Sequence, residues 1–225
     1  MLDPHTWYPV GFAIGDVESA ALVQAAIRNA ELTGQYLAPW QVQSDRFALK
    51  EMAAFYGTLA DYFTPAAAGN ARAKVIEPYF RRHHEQYVQP YYANYSGHNI
   101  TAKQQNQPNA DALNKAKNSF PYEAGVIEAI RHNIAKERSE KVEQYRTALL
   151  AAKPDQVKVM SREEYLRCFG LRTGYTNTLT NRGLQVTISG VIHTYQDQRP
   201  VFQDYIGAEF TVLFDPEDLG TILAT

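Results

Sequence analysis

The chain has 225 residues, about 45% of them apolar, one cysteine, and 22 basic against 24 acidic side chains for a formal charge of −2. That length suits one large domain or two small ones with a real core, and the composition excludes collagen, disulfide knots and low-complexity polymers. A lone Cys168 makes no internal disulfide and no Cys-based zinc site, and it fits a reducing, cytoplasmic setting. No long unbroken apolar run is present, and the start lacks a basic stretch ahead of an apolar one, which argues against membrane spanning and secretion.

The charge is unevenly placed. Residues 1–69 carry 3 basic and 7 acidic groups, residues 70–162 carry 15 and 9, and residues 163–225 carry 4 and 8. A basic middle between acidic ends suits a polyanion partner, and it equally suits a solvated helical surface.

In chain order, residues 7–14 (WYPVGFAI) read as a strand. Asp16 reads as the N-cap of a helix over 17–32, with Ala20, Val23, Ala26, Ile27 and Ala30 on one face and Gly34 as its stop. Residues 41–43 form a short strand candidate. Residues 47–56 form a helix that Gly57 should end, and 61–64 another strand. A helix pattern returns from Ala71 and meets Pro78. Strand and helix therefore alternate, which predicts an α/β fold. Residues 86–118 are rich in Tyr, then in Gln and Asn, and read as a connector. Residues 121–151 read as a long helix with Val126, Ile127, Ile130, Ile134, Val142, Tyr145 and Leu149-Leu150 at mixed helical spacing and pairs such as Glu137–Lys141 supporting its exposed face. A short helix follows at 162–169. Strands over 175–195 turn at Asn181-Arg182-Gly183, where Gly183 should need positive φ. A strand at 209–214, a turn at 215–218 and a strand at 221–224 complete a small β-barrel.

Two carboxylates stand out. Asp45, in QSDR, follows a strand, and Glu77 lies 32 positions later in GNARAKVIEPYF. Converging carboxylates bind Mg²⁺ through hard oxygens, and a two-metal site clamps both oxygens of a phosphodiester displacement. An N-cap Asp and a surface Glu are the plainer alternative. Around Glu77, Gly69, Asn70, Ala71 and Ala73 are small. Lys74, Arg81 and Arg82 flank it, and the first two share its helical face, cations suited to a phosphate backbone. Pro78 disfavours helical geometry at Glu77, so either the helix starts at Pro78 or it kinks there.

Adjacent His83 and His84 point about 100° apart on a helix and make a poor metal pair. The tyrosines at 87, 91, 92 and 95 either stack on bases or pack in a core. Cys168 reads as a small buried hydrophobe. There is no GxGxxG, Walker or GxSxG motif.

These residues carry a family resemblance. VGFAIGDVESAALVQAAIRNA, QSDR and DYFTPAAAGNARAKVIEPYFRRHH resemble the second half of the catalytic core of DDE transposases and integrases, with the likeness pointing to the phage Mu transposase group. TNRGLQVTISGVIHTY and IGAEFTVLFDPEDLGTI resemble the small β-barrel that follows the core in that group. GHNIT and QPN, between them, resemble its connector. The resemblance implies an RNase H-like core over 1–95, a connector and helix over 96–155, and a Mu-type barrel over 156–225.

It further implies DNA transposition or integration by metal-dependent phosphodiester cleavage and strand transfer, on transposon ends and target DNA, by a homo-oligomer. Asp45 matches the family's second catalytic Asp and Glu77 its Glu, both metal ligands for two Mg²⁺ (or Mn²⁺) ions once the triad is complete. Lys74, Arg81, Arg82, Arg46 and Asn70 are the implied DNA contacts. The first catalytic Asp has no match. Asp3 falls at the start of a later strand, and Arg46 stands where a small or amide residue is usual. The expectation is thus a C-terminal piece with little activity alone. A non-catalytic DNA-binding or assembly remnant, and an unrelated α/β protein with a barrel, are the competing readings.

Overall fold

In the computed structural model the described residues are 1–30, 37–44, 49–66, 75–92, 114, 121–197 and 199–225. Along the chain these give α1 (Ala20–Arg28), β1 (Leu37–Pro39), β2 (Gln41–Ser44), α2 (Leu49–Leu59), β3 (Tyr62–Pro65), α3 (Ile76–His83), α4 (Glu123–Leu150), β4 (Val157–Val159), α5 (Arg162–Phe169), β5 (Leu171–Thr180), β6 (Gly183–Ile188), β7 (Val191–Tyr195), β8 (Glu209–Asp215) and β9 (Asp218–Ala224). Mixed α/β content is as expected. The chain divides into two compact units that each take two stretches of sequence: Met1–Val17 with Ala66–Ala152, and Glu18–Pro65 with Lys153–Thr225.

The second unit contains a curled five-stranded antiparallel half-barrel in the order β7-β6-β5-β8-β9. β6 alternates Leu184, Val186 and Ile188 inward with Gln185 and Thr187 outward, the two-residue period of a half-buried strand. With Leu179 and Val212 they form the buried cluster. Each such side chain contributes about 1.5–3 kcal/mol through burial.

β5 serves two partners. Its length runs along β8, while its end, Leu179 and Thr180, pairs with Leu184 and Gly183 of β6. The β5–β8 register slips between Arg172 and Thr176, and Gly174 there has φ +78°. Such a bulge bends a strand and tightens its twist, which curls the sheet. Gly183 has the expected positive φ, +103°, and a Cβ there would sit 2.3 Å from the Tyr195 carbonyl oxygen. β8 and β9 pair up to Asp215 and Asp218, so the turn is only Pro216-Glu217 and β9 starts earlier than 221.

The same unit holds a parallel pair, β2 with β3, in register from Gln41↔Tyr62 to Ser44↔Pro65. Parallel neighbours need a crossover, and α2 supplies it. α2 does not stop at Gly57. It continues to Leu59, which is fully buried, and a Cβ at Gly57 would meet nothing within 4 Å. Burial of Leu59 outweighs the ~1 kcal/mol that a mid-helix glycine costs. α2 packs on α5 through Phe55 and Phe169, whose rings meet edge-on at 5.8 Å. α1 begins at Ala20, capped by Ser19 rather than Asp16, because the Ser19 hydroxyl accepts from the Leu22 amide at 3.1 Å. Asp215, 5% exposed, ties the helices to the sheet: Arg28 donates to it at 2.7 Å and Arg162 lies 3.5 Å away.

In the first unit, residues 7–14 are not a strand. Their carbonyls find side-chain donors on α4 instead of a neighbouring strand: Arg138 donates to Pro9 and Val10 at 2.8 and 2.7 Å, and Lys141 to Trp7 at 2.9 Å. Buried carbonyls need partners of some kind, and these cations serve. Tyr8, fully buried, stacks on Tyr145 of α4 at 4.5 Å. α4 itself runs as expected, but Val126 and Ile130 are exposed, and its buried residues are Asn133, Glu137 and Tyr145.

Candidate functional site

The residues implied by the sequence divide sharply. Asp45, Arg46, Asn70 and Lys74 lie outside the described residues, as does Tyr95. Glu77, Arg81 and Arg82 are all on α3, and all three are exposed. Pro78 neither kinks α3 nor delays its start. It is the third helical residue, where the backbone has no intrahelical acceptor, so its missing N–H costs nothing. Tyr79, next in sequence and 6% exposed, anchors the turn and holds Glu77 helical despite the following proline. Glu77 thus occupies the first turn, where the helix dipole favours a carboxylate. Arg81, one turn on, shares its face, and Arg81, Arg82 and His83 crowd the last turn, where cations are favoured.

The opposite face of the same helix is polar and buried. Tyr79, His83 and Tyr87 recur every four residues, and the chain carries this face through a wide π-helical turn at His84–Val88. Glu137 of α4 receives the first two. The Tyr79 hydroxyl donates to Glu137 Oε2 at 2.8 Å, His83 Nδ1 lies 2.7 Å from the same oxygen, and Lys141 Nζ bonds Oε1. An ionised carboxylate only accepts, so Nδ1 carries the hydrogen. The Tyr87 hydroxyl donates to Glu140 at 2.6 Å.

Burial by itself would raise the Glu137 pKa. The bonds from His83, Lys141 and Tyr79 outweigh it and hold the carboxyl below its ordinary value. Tyr79 is pushed well above the usual phenol range by burial and then by the Glu137 charge, and Tyr87 by burial and its bond to Glu140. Glu137 is 1% exposed, so the expectation that Glu137–Lys141 braces an open helix face is wrong. The pair is the buried clasp between α3 and α4. The signal was in the sequence: aromatic residues with polar tips at four-residue spacing need buried acceptors opposite them.

His83 is committed to Glu137 through Nδ1, and its ring centre is 6.1 Å from that of His84. Tyr87 is core. Tyr91 is 59% exposed and carries Lys136 Nζ 4.1 Å from its ring centre. Cys168 is buried, and burial pushes its thiol up to about 11, so it is a poor nucleophile.

Among the described residues no three His, Cys, Asp or Glu side chains are grouped to hold a metal ion. Of the implied ligands only Glu77 is described, and one carboxylate does not make a two-metal site. Also among the described residues, no helix is long and apolar enough to cross a membrane. No protein-family model matches the chain, and no curated protein matches its sequence.

Proposed function

We propose that this chain belongs to the DNA-breaking and joining machinery of a mobile element, of the DDE transposase type, with an RNase H-like core and a Mu-type barrel. The observation that carries this reading is the parallel β2-α2-β3 unit. β2 ends at Ser44, immediately before Asp45 in sequence, and ligands of parallel α/β sheets bind beyond the carboxyl ends of the strands. The exposed Glu77–Arg81 face of α3 supports it: a carboxylate and a guanidinium one helical turn apart suit a metal-bound phosphodiester and its backbone.

In this reading Asp45 and Glu77 are two of three acids that hold Mg²⁺ or Mn²⁺, which would activate the attacking oxygen. Lys74, Arg81 and Arg82, with Arg46 and Asn70, bind phosphates and fix the strand in line. The working form is a multimer on paired DNA ends.

The test is DNA binding by the full chain across salt concentrations. The wild-type chain binds duplex DNA with a steep salt dependence. Changing both Arg81 and Arg82 to Gln removes two phosphate contacts and flattens the log–log slope by about 2. With Mn²⁺ the chain alone joins no DNA, since only two acid positions are matched. Binding without joining also fits the non-catalytic remnant, and supplying the missing acid in trans separates the two. Absence of salt-dependent DNA binding overturns both.

A further inference from the structure

We propose that Trp7 and Arg82 form a stacking site for an unpaired nucleobase and its phosphate, an inference that rests on the DNA reading above. Trp7 has φ +60°, in the left-handed region that bulky side chains rarely enter. The one other described non-glycine residue with positive φ is Ser189, in a hairpin turn. The Trp7 conformation is over-determined. Its N–H donates to the Asp3 carbonyl at 2.9 Å, Asp3 Oδ2 accepts from the Thr6 amide at 2.8 Å, and Lys141 bonds the Trp7 carbonyl. Buried Tyr8 locks the next residue.

All this fixes an indole that the core does not swallow. The ring is partly exposed, with Tyr79 tilted beside it at 6.4 Å. The exposed Arg82 guanidinium stands 5.6 Å from the ring centre. Backbone strain held in place around a surface aromatic points to a binding role.

The chemistry selects the ligand. An aromatic face stacks on any base, and a guanidinium binds a phosphate in a planar fork. A paired base inside a duplex offers no free face, so the partner is single-stranded or flipped. On binding, the base takes the indole face and Arg82 swings from the ring to the phosphate. Glu77 lies five residues before Arg82 on the same helix, so the unpaired nucleotide sits on the element that carries the proposed metal ligand.

The experiment uses the full chain with Trp40→Phe, leaving Trp7 as the single indole. Three DNAs are titrated: a single strand, a duplex with one unpaired adenine, and the fully paired duplex. Trp7 emission is quenched by the first two and unchanged by the third. Trp7→Ala weakens the first two about tenfold and spares the third, while Trp7→Phe keeps most of the affinity and so separates stacking from misfolding. Arg82→Gln lowers the salt slope by about 1 for all three DNAs, so the base-specific part of the site is read from Trp7 alone. If all three DNAs bind with no quenching, and Trp7→Phe and Trp7→Ala leave affinity unchanged, the stacking site is wrong and the DNA reading stands. If none of the three binds, both are wrong.

Discussion

The half-barrel unit buries Leu179, Leu184, Val186, Ile188 and Val212, whereas the unit of α3 and α4 buries Glu137, Asn133 and Tyr79, whose hydroxyl bonds Glu137. Apolar burial is non-directional and scales with area. Polar burial works only while every partner is present, and it responds to protonation. The contrast also explains why α4 leaves Val126 and Ile130 exposed: the face it turns inward is set by Glu137, not by its aliphatic residues. Trp7 lies in one unit and Trp40 in the other, so single-tryptophan variants report on each separately.

The largest expected effect is Glu137→Ala. It strands the Tyr79 hydroxyl and the Lys141 ammonium, and the unit reported by Trp7 loses about 3–5 kcal/mol in urea unfolding. The Trp40 signal should move little. Leu179→Ala is the mirror experiment, costing about 3 kcal/mol through the cavity it leaves, read through Trp40 and not Trp7. Asp215→Asn weakens the bonds from Arg28 and Arg162 and costs the half-barrel unit about 2 kcal/mol by the same measurement.

The pH response sharpens the comparison. Glu137 has a lowered pKa in the fold, so its stabilisation is complete above its ordinary value of 4.5 and is lost as the pH falls through the lower folded value. Tyr79 and Tyr87 are raised, so their contribution is complete below 10.0 and is lost as the pH rises beyond it. Melts followed by Trp7 should therefore weaken at both extremes, and Glu137→Gln should remove the acid limb. The smallest effect is Arg81→Ala, which changes stability by less than about 0.5 kcal/mol because the side chain is exposed, yet weakens DNA binding.

Much of this architecture is legible in the residues. The two-residue alternation in β6, the turn at Gly183 and the long helix over Glu123–Leu150 all follow from local pattern and turn chemistry. Residues 7–14 mislead because aromatic and β-branched content signals burial, not strand pairing, and here the carbonyls bond to Arg138 and Lys141 from 130 residues away in sequence, roughly the span that no local window covers. Glu137 misleads for a related reason. An i,i+4 pair with Lys141 looks the same on paper whether it faces water or Tyr79 and His83. At the candidate site, the exposed face of α3 with Glu77 and Arg81 is legible from spacing. The backbone geometry of Trp7 is not, since it depends on Asp3 and Lys141 together.

The most direct test of the central claim is amide hydrogen exchange of the full chain with and without DNA. The account predicts slowed exchange across Ile76–His83, the element that carries Glu77, Arg81 and Arg82. DNA binding that leaves this helix unchanged, with protection confined to other parts of the chain, would contradict it.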